Sequence, residues 1–246
     1  PPYLAFFGGR RFVPMVTALA TMLLAVGMSF IYPAFKAGLT AVGEWVAGNA
    51  VVGGFVYGTM NRLLIPLGLH HIPNNIVWFQ IGDFTKPDCV QDCLVHGDLS
   101  RFFAHDPSAG IFMTGFFPIM MFALPAAALA IWQEAKPANR KAVGGIMISV
   151  ALTAFLTGVT EPLEFAFMFV AWPLYIAHAL MTGVSLALTN ALGIKMGFGF
   201  SAGLFDYALN WNIGTQPWLL IPIGLAFAVI YYFGFRFVIR KWNLKT

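Results

Sequence analysis

Charge is scarce in this sequence. Asp, Glu, Lys and Arg make up 10% of its 246 residues, whereas soluble domains carry roughly a quarter. With 59% hydrophobic residues and a mean hydropathy of +0.76, that shortage excludes an ordinary soluble globule and indicates a polytopic membrane protein. The net charge of +4 is small, and no nucleic-acid partner is expected. Cysteine is nearly absent too. Cys89 and Cys93 share one polar loop without a nearby His pair, so they are no zinc site, which wants four ligands. A loop disulfide and two thiols both stay open, and the pair is given no role. There is no GxxxxGK[ST] phosphate loop and no HExxH, and the glycines of GFGFSAG follow no strand. ATP hydrolysis, a resident metal and a bound cofactor are therefore not expected. The opening PPYLAFFGGRRF has neither an initial Met nor a signal-peptide pattern, and is read as the continuation of a longer protein whose earlier spans precede it.

What is present is apolar length, bounded by basic clusters. Gly8–Arg11 (GGRR), Glu134–Lys141 (EAKPANRK) and Arg240–Thr246 (RKWNLKT) hold most of the basic residues, and the positive-inside rule makes all three cytoplasmic. A spanning helix needs roughly 20 apolar residues. Phe12–Tyr32, Phe112–Trp132 and Trp218–Val238 qualify, the second with Pro118 and Pro125 as kinks. Leu39–Tyr57 spans or lies in the interface. Val143–Val159, Leu163–Leu180 and Val184–Ile194 are short or interrupted, the pattern of broken helices at a transport site. The expected fold is all-α: a polytopic helical membrane protein with broken helices and re-entrant hairpins.

One break carries charge. In AFLTGVTEPLEFAF, Pro162 disfavours helix at Glu161 and suits the first position of a new helix. Glu164 would then sit at N3, its carboxylate reaching back to the cap N–H. On this reading Glu164 is structural. Glu161, outside the helix, faces a cavity, and an intramembrane carboxylate is a functional hypothesis by default.

Other polar residues gather in three places. Gly58–Asn75 (GTMNRLLIPLGLHHIPNN) sets Arg62, His70, His71 and Asn75 in a Pro- and Gly-broken run. Arg62 is either a snorkelling residue or a donor, and adjacent histidines on a helix diverge too far for a metal. Arg, His and Asn near a Glu suit a neutral polyol, with the acid accepting from hydroxyls and the bases donating. Val95–Gly110 (VHGDLSRFFAHDPSAG) reads as a polar connection. In Gly197–Trp211 (GFGFSAGLFDYALNW), Asp206 is either a cap or a lining residue.

Taken together, TGVTEPLEF, RLLIPLGLHHI, VHGDLSRF and WNLKT resemble, in order and along the whole chain, the enzyme IIC membrane domain of the bacterial phosphoenolpyruvate-dependent sugar phosphotransferase system. The branch is the glucose/N-acetylglucosamine/maltose one. WFQIGDF, AGIFMTGFFPIMMFALPAAALAI and GFGFSAGLFDYALNW look more like N-acetylglucosamine members; IWQEAKPANRKAVGGIMIS looks more like glucose members. The resemblance implies a homodimeric permease of the cytoplasmic membrane with a cytoplasmic C-terminus. Its hexose would be phosphorylated on the 6-hydroxyl by a phosphocysteine of a partner IIB domain, itself supplied by IIA. That catalytic cysteine is not in this chain. Residues to about 60 would end a scaffold region and 61–246 would form the substrate-binding region of one incomplete domain. The site carried over by motif is Glu161 and Thr160 on sugar hydroxyls, Arg62 and His70 lining the pocket, and His71, Asn75 and the His96-Gly97-Asp98 element nearby. An ion-coupled secondary transporter, with Glu161 as the protonating carboxylate, is the competing expectation.

Overall fold

A computed structural model of the protein describes residues 5, 8–87, 93–169 and 171–242; Cys89 and the final NLKT lie outside them. The chain divides into two compact units, Pro1–Glu44 and Trp45–Thr246. The first is described by most of one helix, α1 (Phe12–Gly48), which runs on past Pro33 and is longer than the span expected from sequence. A proline inside a helix removes one backbone bond and kinks or breaks it, yet here regular helix continues for another 15 residues.

Among its described residues, the regular structure of the second unit is helical apart from a two-stranded antiparallel hairpin, β1 (Asp83–Thr85) with β2 (Leu94–His96), and an isolated bridge between Lys195 and Thr215. The helices are α2 (Ala50–Leu64), α3 (His71–Phe79), α4 (Asp98–Phe103), α5 (Phe116–Pro118), α6 (Leu124–Gln133), α7 (Arg140–Thr157), α8 (Glu161–Met168), α9 (Trp172–Ala191), α10 (Leu204–Leu209) and α11 (Leu220–Trp242). A π-helical turn, Ile119–Ala123, joins α5 to α6 into one rod. Among the described residues, six helical segments are long and apolar enough to cross a membrane. The expected all-α polytopic fold is observed. Three expected segments are redrawn. Leu39–Tyr57 is divided at Asn49 between α1 and α2, Leu163–Leu180 is interrupted between Met168 and Trp172, and the part of Val184–Ile194 up to Ala191 supplies the last turns of α9.

Glycine decides how closely α2 and α9 approach. A Cβ on Gly54 would lie 2.5 Å from Asn190 Nδ2, and one on Gly183 would lie 2.6 Å from the Phe55 carbonyl oxygen. Gly54 and Gly58 of α2, four residues apart, therefore admit α9 to a distance that side chains forbid, which is how helices associate where lipid removes the hydrophobic drive. Asn190 Nδ2 donates to Ala50 O at one end and the Tyr175 hydroxyl donates to Arg62 O at the other, so α2 and α9 are antiparallel. The apolar core lies where Ile119, Leu124, Leu163, Phe167, Tyr231 and Phe235 meet. At one end of this bundle Arg236 and Arg240 of α11 both reach Glu134, at 2.6 and 2.8 Å.

Two breaks point polar residues inward. After α2 the chain turns at Gly68 (φ +71°) into α3. After α7 it turns at Gly158 (φ +80°) into α8. Only glycine suits the second turn on two counts: the positive φ, and a Cβ that would fall 2.6 Å from the Ala202 backbone.

Candidate functional site

The two breaks meet at Glu164. Arg62, in the last turn of α2, places Nη1 2.6 Å from Glu164 Oε1. Thr160 Oγ1 donates to the same oxygen at 3.0 Å, and His178 Nε2 of α9 lies 3.1 Å from it. His178 Nδ1 in turn meets the Tyr231 hydroxyl of α11 at 2.8 Å. Helices α2, α8 and α9 thus meet at one carboxylate oxygen, and α11 is joined to it through His178. Arg62, Thr160, Glu164 and His178 are all buried, with no more than 4% of any surface exposed. Glu164 Oε2 is buried without a hydrogen-bond partner.

A second string of hydrogen bonds runs from Arg62 into α3. Arg62 Nε donates to Asn61 Oδ1 at 2.9 Å, Asn61 Nδ2 donates to Asn74 Oδ1 at 2.5 Å, and the Tyr57 hydroxyl donates to Asn74 Oδ1 as well. The Phe116 ring underlies the guanidinium at 5.2 Å. A buried cation needs such satisfaction, because an unpaired one costs several kcal/mol.

This geometry corrects the division of work expected at TEPLE. Helix α8 begins at Glu161 itself, so Pro162 stands one position later than expected and Glu164 falls beyond N3. No side chain caps the helix. Glu164 is an ion-pair partner instead of a cap. The reason is tertiary: Arg62, 102 residues away, offers a charge that outcompetes one backbone N–H. Glu161 is helical and half-buried, and its carboxylate accepts no hydrogen bond among the described residues. It lies close enough to act electrostatically on both Arg62 and His70.

The remaining expected site residues divide into two groups. His70 lies between α2 and α3, its Nδ1 buried without a partner and its ring 3.9 Å, centroid to centroid, from that of exposed His71. Burial, then the charges of His71 and Arg62, hold the His70 imidazole below its ordinary range. Asn75 points outward; Asn74, one residue earlier, is the asparagine in the network. The His96-Gly97-Asp98 element sits at the other end of α3. His96 is exposed and pairs with Asp83 across the β hairpin. Gly97 adopts φ +85°, where a Cβ would come within 2.2 Å of Trp78 O. Asp98 accepts the Gly110 and Phe112 N–H groups at 2.9 and 3.0 Å and meets Arg101 at 3.3 Å. Burial pushes the Asp98 carboxyl above the ordinary carboxylate range, against the pull of the Gly110 N–H and of Arg101. The structure thus joins Arg62, Thr160, Glu161 and His70, and leaves Asn75, His96, Gly97 and Asp98 apart from them.

Asp206 resolves as a loop cap, accepting the Gly199 and Ser201 N–H groups. Gly199–Gly203 (GFSAG) does have the spacing of a nucleophile elbow, but that motif needs a strand-to-helix turn and an adjacent base. Ser201 Oγ instead donates to Gly158 O at 2.8 Å, so this serine ties the α7–α8 turn to the loop before α10. Cys93 is disulfide-bonded. His178, Tyr231, Asn61 and Tyr57 are not singled out by the sequence: His178 and the two tyrosines lie in apolar runs, Asn61 stands beside the more conspicuous Arg62, and only helix packing aligns them.

Helix breaks carrying a buried, hydrogen-bonded ion pair inside a multi-span helical bundle define a membrane transport protein of the broken-helix class. The model of the family described as "Phosphotransferase system, EIIC" matches residues 1–183, and the chain belongs to that family. It is 54% identical, over 99% of its length, to the N-acetylglucosamine-specific EIIC component of Streptomyces coelicolor, covering 58% of that protein. It is 52% identical, over its full length, to the N-acetylglucosamine-specific EIICB component of Bacillus subtilis, covering 53%. Against the glucose-specific EIICBA component of Staphylococcus carnosus it is 46% identical over its full length, covering 37%. The chain therefore spans little more than half, or less, of the curated relatives it matches.

Proposed function

We propose that this chain is the sugar-conducting membrane part of a phosphotransferase-system permease for N-acetylglucosamine. In this reading it binds the hexose and carries it inward, while a phosphocysteine on a IIB domain transfers phosphate to the sugar 6-hydroxyl. IIB, recharged by IIA, and a second copy of the chain are its partners in the cytoplasmic membrane, with the C-terminus on the cytoplasmic side. The B and A in the relatives' names support the first two partners. The substrate assignment rests on the N-acetylglucosamine-specific relatives standing above the glucose-specific one in identity; glucose is the second reading.

The observation that carries the site is a contrast. Arg62 and Glu164 Oε1 satisfy each other internally, whereas Glu164 Oε2 and His70 Nδ1 are buried without hydrogen-bond partners and the half-buried Glu161 carboxylate accepts no hydrogen bond among the described residues. A neutral polyol supplies partners for Glu161 and His70: one hydroxyl donates to Glu161 and another accepts from, or donates to, His70. Thr160, its hydroxyl engaged by Arg62 and Glu164, acts by holding the pair. The residues at the far end of α3 fix the hairpin. An acetamido group adds a methyl and an amide, enough for one extra pocket contact to discriminate.

Competition binding with N-acetylglucosamine and glucose tests the substrate; a clear preference for glucose overturns it. For the site, Glu161→Gln in the full-length protein should weaken sugar binding by about tenfold, the size of one lost charge-assisted hydrogen bond, with thermal stability unchanged. Wild-type affinity in that variant would sink the assignment.

A further inference from the structure

At the end of the bundle away from the Lys195–Thr215 bridge, α11 carries a cleft of about 560 Å³ lined by Phe233, Arg236, Phe237, Arg240 and Lys241. Its floor and rim differ in kind. Phe233 and Phe237, one turn apart, are each 62% exposed, as a lipid-facing helix allows. Above them stand three cations. Arg236 and Arg240 are not loose: Glu134 Oε1 holds both, at 2.6 and 2.8 Å, and the Tyr232 hydroxyl accepts from Arg236 Nη1 at 2.9 Å. Lys241 lies over the Phe237 ring at 5.5 Å and forms no ion pair among the described residues. One carboxylate against three cations leaves two positive charges beside an aromatic strip. More positive charge surrounds this end: Lys136, Arg140 and Lys141 belong to the neighbouring α6–α7 connection and the start of α7.

We propose that this cleft binds an anionic phospholipid, its phosphate among Arg236, Arg240 and Lys241 and an acyl chain along Phe233 and Phe237. A soluble phosphate finds no use for an exposed aromatic floor. A neutral zwitterionic lipid gains nothing from two uncompensated cations, whereas basic clefts at helix ends recruit anionic headgroups. Glu134 does not oppose this. It pre-organises two guanidiniums toward one point, which lowers the ordering cost of binding. The position also matters, because α11 leads directly into the chain's C-terminal segment, so an occupied site would brace the helix at the membrane surface.

The test uses the purified full-length protein in nanodiscs of phosphatidylcholine with a minor fraction of phosphatidylglycerol, with bound lipid counted by native mass spectrometry. Retention of phosphatidylglycerol over phosphatidylcholine should fall about fivefold for each charge removed in Arg240→Gln and Lys241→Gln. It should be unchanged in Lys136→Gln/Lys141→Gln, which removes as many charges elsewhere as the combined Arg240→Gln/Lys241→Gln variant. Sugar binding and thermal stability of all variants serve as the folding control. Equal retention of the two lipids by the wild type would overturn the proposal, as would equal loss in the Lys136/Lys141 variant. A third result also overturns it: unchanged lipid retention with weakened phosphoryl transfer from a separately added IIB domain, which would make the cleft a protein-docking surface.

Discussion

Arg62→Met should be among the most damaging single substitutions in the chain. It leaves Glu164 wholly buried with its principal countercharge gone. At 2.6 Å and an effective dielectric near 20, the gross attraction is about 6 kcal/mol. Desolvation offsets part of that, and removing one member of a buried pair costs roughly 3–5 kcal/mol in net stability. For a chain of this size each kcal/mol moves the unfolding midpoint by roughly 2–4 °C, so a fall of about 10 °C is expected. Fluorescence-detected size-exclusion thermostability in detergent reads it directly. The reasoning makes a second, sharper demand. Adding Glu164→Gln to Arg62→Met removes the orphaned charge but keeps an acceptor for Thr160 and His178. The double variant should therefore be more stable than Arg62→Met alone, recovering at least half the loss. A double variant no more stable than the single one would show that the charge on Glu164 is not what Arg62 offsets. An undisturbed midpoint in Arg62→Met would refute the pair's structural weight altogether.

Gly97→Ala combines a positive φ with a Cβ 2.2 Å from the Trp78 carbonyl and should cost more than about 2 kcal/mol, visible as a lower midpoint and a poorer folded yield; wild-type behaviour would contradict the packing of the β hairpin on α3. Gly183→Val should force α2 and α9 apart, since its Cβ would already lie 2.6 Å from the Phe55 carbonyl; engineered cysteines on the two helices that still cross-link at wild-type rate would refute this. Because His70 is held below its ordinary range, the native state favours its neutral form, so its contribution to stability is complete above the ordinary histidine value near 6.5 and declines as pH falls from there toward the depressed value. Stability should accordingly be flat from pH 7 to 8 and drop on acidification, and the part of the drop due to this residue should vanish in His70→Gln; a decline on raising the pH would reverse the sign.

Much of this was legible in the residues, and the limits of legibility have physical causes. Hydropathy and length identify spans because a lipid-exposed backbone must satisfy itself within a helix; three spans and the broken stretch near TEPLE follow from that rule alone. The α1 segment was underestimated because Pro33 reads locally as a stop, while the helix continues beyond it. Arg62, Glu161 and His70 were identifiable because charge within an apolar run is costly wherever it falls. Their grouping was not identifiable, nor was the fact that Glu164, not Glu161, takes the arginine: that choice belongs to partners about a hundred residues apart. His178 and Tyr231 could not be found because each is an ordinary side chain until helix packing sets it against Glu164. Asn74 and Asn75 are indistinguishable as neighbours in a string, and only the helical phase of α3 turns one inward and the other out.

The sequence by itself determined that the chain lives in a membrane, that it is all-helical with breaks, and which family its motifs resemble, since composition and local steric rules act residue by residue. Only the tertiary structure decided which acid of TEPLE takes the arginine, because a buried charge takes whichever opposite charge the folded bundle brings within reach.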